Sequence, residues 1–250
     1  MTARTLANSH PSLLDLLSPG MSVLDVGCGP GTLTAEMAVL VAPGQVVGMD
    51  VNPEMIRLAE ASVPSTGTPN LTFYTADIRT SEWSERFDLA NAARVLQWLP
   101  DPVVAVRRMA KAVAPGALVV LLDYDHTRAR WAGEPDAWAR FFSAFLAWRA
   151  GAGLDNAITR QLPAVARSAG LGDVELRPQV TSVRAGEPDF FRVAGAWRMI
   201  AESRGRQMVA ASYVTERQRR AALDALTDWM QGADASHTVH EVCVVARRPA

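Results

Sequence analysis

The fold of this chain is decided by the stretch Asp25-Val26-Gly27-Cys28-Gly29-Pro30-Gly31, which closes an apolar run and opens an amphipathic, helix-period segment. The apolar run, residues 21–26, has the composition of a buried strand. Glycine is used where the backbone takes positive φ or approaches a ligand closely. Three glycines at alternate positions therefore predict a turn between strand and helix that cradles a ligand.

The spacing of these glycines indicates the kind of ligand. Dinucleotide folds use G-x-G-x-x-G to hold a pyrophosphate, whereas here the third glycine comes one residue early and Pro30 lacks an amide hydrogen. A second apolar strand, residues 45–49, leads into Asp50, which is placed to accept hydrogen bonds from both hydroxyls of a ribose. The pattern predicts an adenosine ligand with a non-phosphate tail and disfavours an NAD-dependent oxidoreductase.

Composition excludes several classes of protein. The 250 residues carry a formal net charge of -1, so the protein has no net positive electrostatic field that would attract a polyanion. This disfavours a nucleic-acid substrate. The two cysteines, Cys28 and Cys243, favour a reducing compartment without a disulfide framework. No apolar stretch reaches the roughly 20 residues that span a bilayer, and the N-terminus lacks a signal-peptide core, so we expect a cytoplasmic protein.

Short apolar runs alternate with helix-period segments, which is typical of an α/β fold with a doubly wound parallel sheet. Strands are predicted near residues 21–26, 45–50, 71–76, 87–92 and 117–123, and a last strand at 238–246. Helices are predicted near residues 31–42, 53–62 and 101–113, each opened by a turn signal.

Five motifs, in order, resemble the class I S-adenosylmethionine (SAM)-dependent methyltransferases, in particular the small-molecule branch similar to the ubiquinone and menaquinone biosynthesis enzymes. The motifs are residues 23–31, 48–55, 74–78, 94–102 and 113–122. The resemblance covers residues 21–124 and implies a single domain with a seven-stranded, mostly parallel sheet. In such a sheet the last strand lies antiparallel beside the strand that ends near Val183. The resemblance also implies SAM as cofactor and S-adenosylhomocysteine (SAH) as its product.

The resemblance carries cofactor contacts onto the residues that follow the strands. These are Asp25, Gly27, Gly29, Gly31, Asp50, Val51, Met55, Asp77, Ile78 and Ala93. It implies that Asp25 orients the loop and the cofactor's ammonium and that Asp50 binds the ribose. It further implies that Asp77, with the amide of Ile78, pairs with the adenine, and that Met55 or Val51 packs on it. The alternatives are acidic turn or N-cap residues for the three aspartates and a core methionine for Met55.

Methyl transfer is an in-line displacement in which orientation supplies much of the rate, so a general base is helpful but optional. The fifth predicted strand leads into Tyr124 and His126, our two catalytic candidates. His126 could remove a proton from the acceptor, since its ordinary pKa is near neutrality, or it could simply bond to backbone at a helix entrance. Tyr124 could orient the acceptor or contact the sulfonium. We expect His10 to precede the core and to lie away from this rim.

Two segments exceed what the sheet requires, residues 128–153 and 187–232, and we interpret them as cap helices over the acceptor pocket. The pocket candidates are Arg94, Trp98, Trp131, Phe145 and Phe190. Aromatic residues at helical spacing in the first segment equally indicate a helix that docks on a core. Arg94 equally suits a salt bridge to an acid such as Asp88. No metal site is expected.

The sequence thus predicts methyl transfer to a small, largely apolar metabolite, with O-methylation favoured over N or C. The run Asn91-Ala92-Ala93-Arg94 departs from the Asn/Asp-Pro-Pro-aromatic motif that binds amide or nucleobase nitrogens in other class I enzymes. Two alternatives stay open: a SAM-binding enzyme of the same fold with a non-methylating reaction such as cyclisation or group transfer, and a non-catalytic partner subunit. A homodimer, with a second subunit completing the cap, is also left open.

Overall fold

A computed structural model describes residues 4–62 and 68–250 of the chain. The chain forms two compact units. We call Arg4–Asp123, Ile158–Pro178 and Glu241–Ala250 the sheet unit, and Tyr124–Ala157 with Gln179–His240 the helical unit. Both segments that were predicted as cap helices fall in the helical unit.

The elements follow the predicted alternation. The strands are β1 (Val23–Val26), β2 (Val46–Asp50), β3 (Leu71–Thr75), β4 (Phe87–Ala93), β5 (Val113–Tyr124), β6 (Arg130–Ala132), β7 (Gly172–Arg184) and β8 (Ser236–Arg247). The helices are α1 (Leu6–Ser9), α2 (Pro11–Leu14), α3 (Thr32–Val41), α4 (Pro53–Ser62), α5 (Pro102–Ala112), α6 (Asp136–Gly151), α7 (Leu162–Ser168), α8 (Phe190–Ala210) and α9 (Glu216–Trp229).

The sheet unit is built on β1, whose four residues are all buried, as a central strand of a parallel sheet requires. β1 pairs in parallel with β2 on one side and β4 on the other. The strand order is β3-β2-β1-β4-β5-β8, with β7 also paired to β8. The predicted fold class, a doubly wound and mostly parallel sheet, is confirmed. The described residues form eight strands where seven with one antiparallel last strand were predicted, and the strand that was not predicted is β6, which pairs antiparallel with β8. The chain order reverses between β1 and β4, and such a switch point is where open α/β sheets bind ligands.

The predicted elements differ from the structure mainly at their ends. β5 begins at Val113 rather than at 117, because Val113 pairs with Phe87 across a shift in register. α5 begins where Pro100-Asp101-Pro102 predicted it, since the Asp101 carboxylate accepts a hydrogen bond from Val103 N–H at 3.1 Å.

The N-terminal segment corrects one expectation. Leu6 of α1 and Leu13 of α2 are fully buried in the same apolar cluster as Val23 and Leu89. His10, which joins the two helices, is also fully buried. We expected His10 to precede the core, but the burial of the leucines on either side of it draws the imidazole into the sheet unit.

The helical unit has its own aromatic core. Trp138, Phe141, Phe142 and Phe145 share the buried face of α6, at the helical spacing that the sequence showed. Trp197 of α8 packs edge-to-face on Phe142, with ring centroids 5.1 Å apart. Short β6 pairs antiparallel with the start of β8, Trp131 opposite His237. In the described residues, no helix is long and apolar enough to cross a membrane.

Candidate cofactor site and acceptor-side residues

The glycine loop between β1 and α3 holds all three of its glycines at positive φ: 71° for Gly27, 54° for Gly29 and 76° for Gly31. A Cβ on Gly31 would lie 2.7 Å from Phe73 Cζ, and one on Gly27 would overlap the side chain of Val95. A Cβ on Gly29 would meet no atom of the described residues within 4 Å. The outer two glycines therefore allow the loop to pack, and the middle one borders open space.

Asp50, at the end of β2, contacts this loop directly. Its Oδ2 accepts a hydrogen bond from Gly29 N–H at 3.0 Å, and its Oδ1 accepts one from Asn52 N–H at 2.9 Å. A carboxylate oxygen has two lone pairs, so each oxygen keeps capacity for a further donor. The acid that was predicted to bind a ribose thus lies beside the glycine that borders open space.

Asp25, at the middle of the buried strand β1, is 4 % exposed. Its Oδ2 accepts a hydrogen bond from the Thr34 hydroxyl at 2.7 Å, and its Oδ1 accepts one from Asn91 Nδ2 at 2.8 Å. Burial raises the pKa of Asp25 to about 6, although the two hydrogen bonds favour the charged form. The site therefore holds an anion at neutral pH that is costly to keep charged.

His10 completes this polar cluster and was missed by the sequence analysis. Its Nε2 lies 3.0 Å from Oδ1 of Asn91, on the neighbouring strand β4. Burial, followed by the positive charge of Arg94, lowers the pKa of His10 to about 3. In the sequence, His10 is only a polar residue between leucine-containing stretches, and that pattern gives no information about a contact with β4.

Asp77 lies just after β3, where the resemblance puts an adenine contact. Its carboxylate accepts hydrogen bonds from its neighbour Arg79, with Nη2 2.6 Å from Oδ2, and this pairing lowers the pKa of Asp77. Ile78 is buried in the core, Met55 is half-buried on α4, and Val51 is 67 % exposed. Their contacts with an adenine stay a prediction, as does the contact of half-buried Ala93 at the end of β4.

Arg94 follows β4 with a positive φ of 64°. Its Nε lies 2.8 Å from Oε1 of Glu241, and its Nη2 donates to the carbonyl of Ser9 at 2.8 Å. The suggested partner Asp88 instead accepts a hydrogen bond from Ser22 N–H at 2.8 Å. The interpretation of Arg94 as a salt-bridge residue is supported, with a different acid. Trp98 is half-buried in the same unit.

His126 and Tyr124 lie in the helical unit. His126 is 3 % exposed, and its ring packs edge-to-face on Phe145 and Trp197 at centroid distances of 5.8 and 5.7 Å. Its backbone N–H donates to the carbonyl of Asn156 at 2.8 Å. Burial lowers the pKa of His126 to about 3, so the ring is neutral at physiological pH. The general-base role stays a prediction, and the alternative of a backbone-bonded, packed histidine gains support.

The aromatic pocket candidates are also packed in this unit. Trp131 stacks on His237 with centroids 4.6 Å apart, and Phe190 contacts Trp229 at 5.8 Å. Phe145 and Phe190 are fully buried, and Trp131 is 9 % exposed. Their role toward an acceptor stays a prediction, because these contacts equally serve the core of the unit.

Comparison with known families settles the class of protein. The sequence model of a family described as "Methyltransferase domain" matches residues 17–150, more than half of the chain. The chain belongs to the class I SAM-dependent methyltransferases. The matched region contains the glycine loop, Asp25, Asp50 and Asp77.

Curated relatives of this methyltransferase match over a shorter stretch. It is 34 % identical over 114 residues to the ubiquinone biosynthesis O-methyltransferase of Proteus mirabilis, with 45 % of each chain covered. It is 37 % identical over 98 residues to the trans-aconitate 2-methyltransferase of Methylobacterium radiotolerans, covering 39 % of this chain and 36 % of the relative. The alignments thus span less than half the length of these two relatives.

A solved structure shows the same fold over nearly all of this methyltransferase. Phosphoethanolamine N-methyltransferase 2 of Haemonchus contortus, in complex with SAM, superposes with a TM-score of 0.62 and 19 % identity. The match covers 96 % of this chain and 52 % of that one. At this identity the likeness concerns the fold alone.

The residues of the sheet unit fit the family's cofactor, SAM. The Gly29 position would take a Cβ without collision, so a ligand can approach the backbone there. Asp50 keeps lone pairs at the same point, and the buried Asp25 supplies negative charge. The described residues contain no group of three or more His, Cys, Asp or Glu side chains suited to a metal ion.

Proposed function

We propose that this methyltransferase moves the methyl group of SAM to a hydroxyl group of a small, largely apolar metabolite. The observation that carries the cofactor half is the contact between Asp50 Oδ2 and Gly29 N–H at 3.0 Å, beside a glycine that borders open space. The O-methyltransferase named among the relatives supports oxygen as the acceptor atom. The near-neutral net charge supports a small molecule over a polyanion.

SAM supplies a methyl group on a cationic sulfur. The protein binds both reactants, aligns the reacting atoms and excludes water from them. Asp50 is proposed to hold the ribose hydroxyls with the lone pairs that Gly29 and Asn52 leave free. Asp25 is proposed to balance the positive charge of the cofactor's amino-acid end. Because its carboxylate is held by Thr34 and Asn91, it needs little reorganisation when the ligand binds.

On the acceptor side, His126 and Tyr124 remain the proposed residues. Trp131, Phe145 and Phe190 are the proposed acceptor contacts of the helical unit, and Arg94 and Trp98 are those of the sheet unit. A neutral imidazole with a pKa near 3 is a weak base for a hydroxyl proton, so orientation is the more effective contribution of His126. Orientation of reactants supplies up to roughly 7 to 11 kcal/mol of rate enhancement, against about 10² to 10⁴ in rate for a general base.

Calorimetric titration of Asp50→Ala with SAH tests the cofactor half of the proposal. Loss of charge-assisted hydrogen bonds to the ribose should weaken binding by about 10- to 100-fold. The matched control is Asp224→Ala, an exposed carboxylate on α9 of the helical unit, which should bind SAH as the unmodified protein does. Equal affinities of Asp50→Ala and of the control for SAH would show that Asp50 does not contact the cofactor.

Turnover with a panel of small phenols and catechols tests the reaction itself. The expected result is formation of SAH together with an acceptor product one methyl group heavier. SAH binding without any methylated product, but with a rearranged substrate, would instead support a non-methylating reaction in the same fold.

A further inference from the structure

The polar cluster at the switch point ends in an imidazole nitrogen that the proposed chemistry does not yet use. His10 is fully buried, and among residues 4–62 and 68–250 its Nδ1 has no hydrogen-bond partner. The ring does not cap either helix that it joins. A buried polar atom without a partner is uncommon in a folded protein and calls for an explanation such as a ligand.

The hydrogen bonds of the cluster determine what this nitrogen can do. Asn91 donates through Nδ2 to the Asp25 carboxylate, so its Oδ1 is an acceptor. Nε2 of His10, 3.0 Å from that oxygen, must therefore carry the hydrogen. The ring is the neutral Nε2–H tautomer, which is consistent with a pKa lowered to about 3. Nδ1 is thus a buried hydrogen-bond acceptor whose lone pair has no donor among the described residues.

The position of His10 indicates where its partner lies. Asp25 and Asn91 are paired residues of β1 and β4, the two strands on either side of the switch point. Asp25 also accepts from Thr34 on α3, the helix that starts directly after the glycine loop. His10 therefore belongs to the same cluster as Asp25, the acid that precedes that loop in the chain. Two cations, Arg94 and Arg4, act on His10, and Arg94 is paired with Glu241 at 2.8 Å.

We infer that Nδ1 of His10 accepts a hydrogen bond from the α-amino group of the bound cofactor and, with Asp25, fixes the amino-acid end of SAM. The inference rests on the proposed function, since it assumes that SAM binds at this switch point. A neutral acceptor and an anion together suit an ammonium group, which has three donors and no acceptor. The segment α1–α2 then acts as a wall of the cofactor site, held on the core by Leu6 and Leu13.

His10→Gln is the variant that isolates Nδ1. The glutamine Nε2–H can keep the bond to Asn91 Oδ1, while the acceptor at the Nδ1 position is lost. We expect SAH affinity, measured by calorimetry, to fall about 10- to 100-fold, the range for a hydrogen bond to a charged group. The SAH analogue with hydrogen in place of the α-amino group should bind the variant and the unmodified protein equally. His240→Gln, a half-buried histidine in the helical unit, is the control and should bind SAH normally.

A measurement without substitution guards against a variant that fails to fold. The imidazole ¹⁵N resonance of His10 Nδ1 should move toward the position of a hydrogen-bonded nitrogen when SAH is added, and should not move when the deamino analogue is added. Two results would overturn the inference and favour an acceptor-side or purely structural role for His10. One is an equal loss of affinity for SAH and for the analogue in His10→Gln, and the other is a Nδ1 resonance that does not move when SAH is added. If the unmodified protein bound no SAH, the cofactor assignment itself would fail.

Discussion

Replacing Asp25 with asparagine should stabilise the folded protein at neutral pH, because the native carboxylate is charged in a place that disfavours charge. Asp25 is 4 % exposed, and burial raises its pKa from 3.8 to about 6. The folded protein holds the proton more tightly than the unfolded chain does. The resulting contribution to stability is fully present below about pH 4 and is lost as the pH rises through about 6.

The size of this effect follows from the two pKa values. One pKa unit corresponds to about 1.4 kcal/mol, so ionising Asp25 costs the folded state about 3 kcal/mol at neutral pH. Asparagine removes that cost while its amide still accepts a hydrogen bond from Asn91 and donates one to Thr34. At pH 7.5 the free energy of unfolding of Asp25→Asn should exceed that of the native protein by about 3 kcal/mol, less whatever the altered hydrogen bonds cost.

Denaturant unfolding at a series of pH values between 4 and 8 measures this directly. The free-energy difference between the variant and the native protein should grow as the pH rises from about 4 to about 7 and then level off. The buried His10 titrates in both proteins, so its own contribution cancels from the difference. A second variant, Thr34→Val, removes a donor to the carboxylate and should destabilise the protein more at pH 7.5 than at pH 4.

A difference between Asp25→Asn and the native protein that stays constant from pH 4 to pH 8 would refute this reasoning, since burial would then not oppose the charge. The same variant should bind SAH more weakly, because the anion that faces the cofactor's amino-acid end is lost. Gain of stability with loss of binding would identify Asp25 as a residue whose charge is retained for function.

Two further predictions concern the loop and the acceptor side. Gly29→Val should abolish detectable SAM binding by calorimetry, since its side chain enters the open space beside the loop and a β-branched residue also strains the backbone at the φ of 54° found there. Gly31→Ala should mainly lower the melting temperature, because its Cβ would lie 2.7 Å from Phe73 Cζ. Normal SAM binding by Gly29→Val, in a sample that circular dichroism shows to be folded, would show that the loop is not a cofactor site. His126→Ala should lower the melting temperature through the cavity left among aromatic rings, with SAM affinity unchanged and kcat within about tenfold of native. A kcat loss of about 10² or more, together with loss of the acidic limb of the pH profile of kcat, would support the general-base role, whereas the same loss with an unchanged pH profile would support orientation.

The sequence by itself determined the order of elements and the chemistry of the loop. Strands β1 to β4 and helices α3 to α5 fall within a few residues of their predicted positions, because each is encoded by a local pattern of apolar residues bounded by turn and capping signals. The glycines of the loop and the acid at the end of β2 lie at characteristic spacings along the chain, so no long-range contact was needed to find them.

Tertiary structure decided which polar groups meet. His10 and Asn91 are 81 residues apart in the chain, and only the docking of α1 and α2 on the core joins them. Arg94 selects Glu241 rather than Asp88 because β8 brings that glutamate into the sheet unit. The aromatic residues of α6 showed their helical spacing in the sequence, but the burial that neutralises His126 depends on α8, which supplies Trp197. Local patterns encode secondary structure, whereas burial and pKa arise from neighbours that are remote in sequence, and for that reason they appear only when the chain is folded.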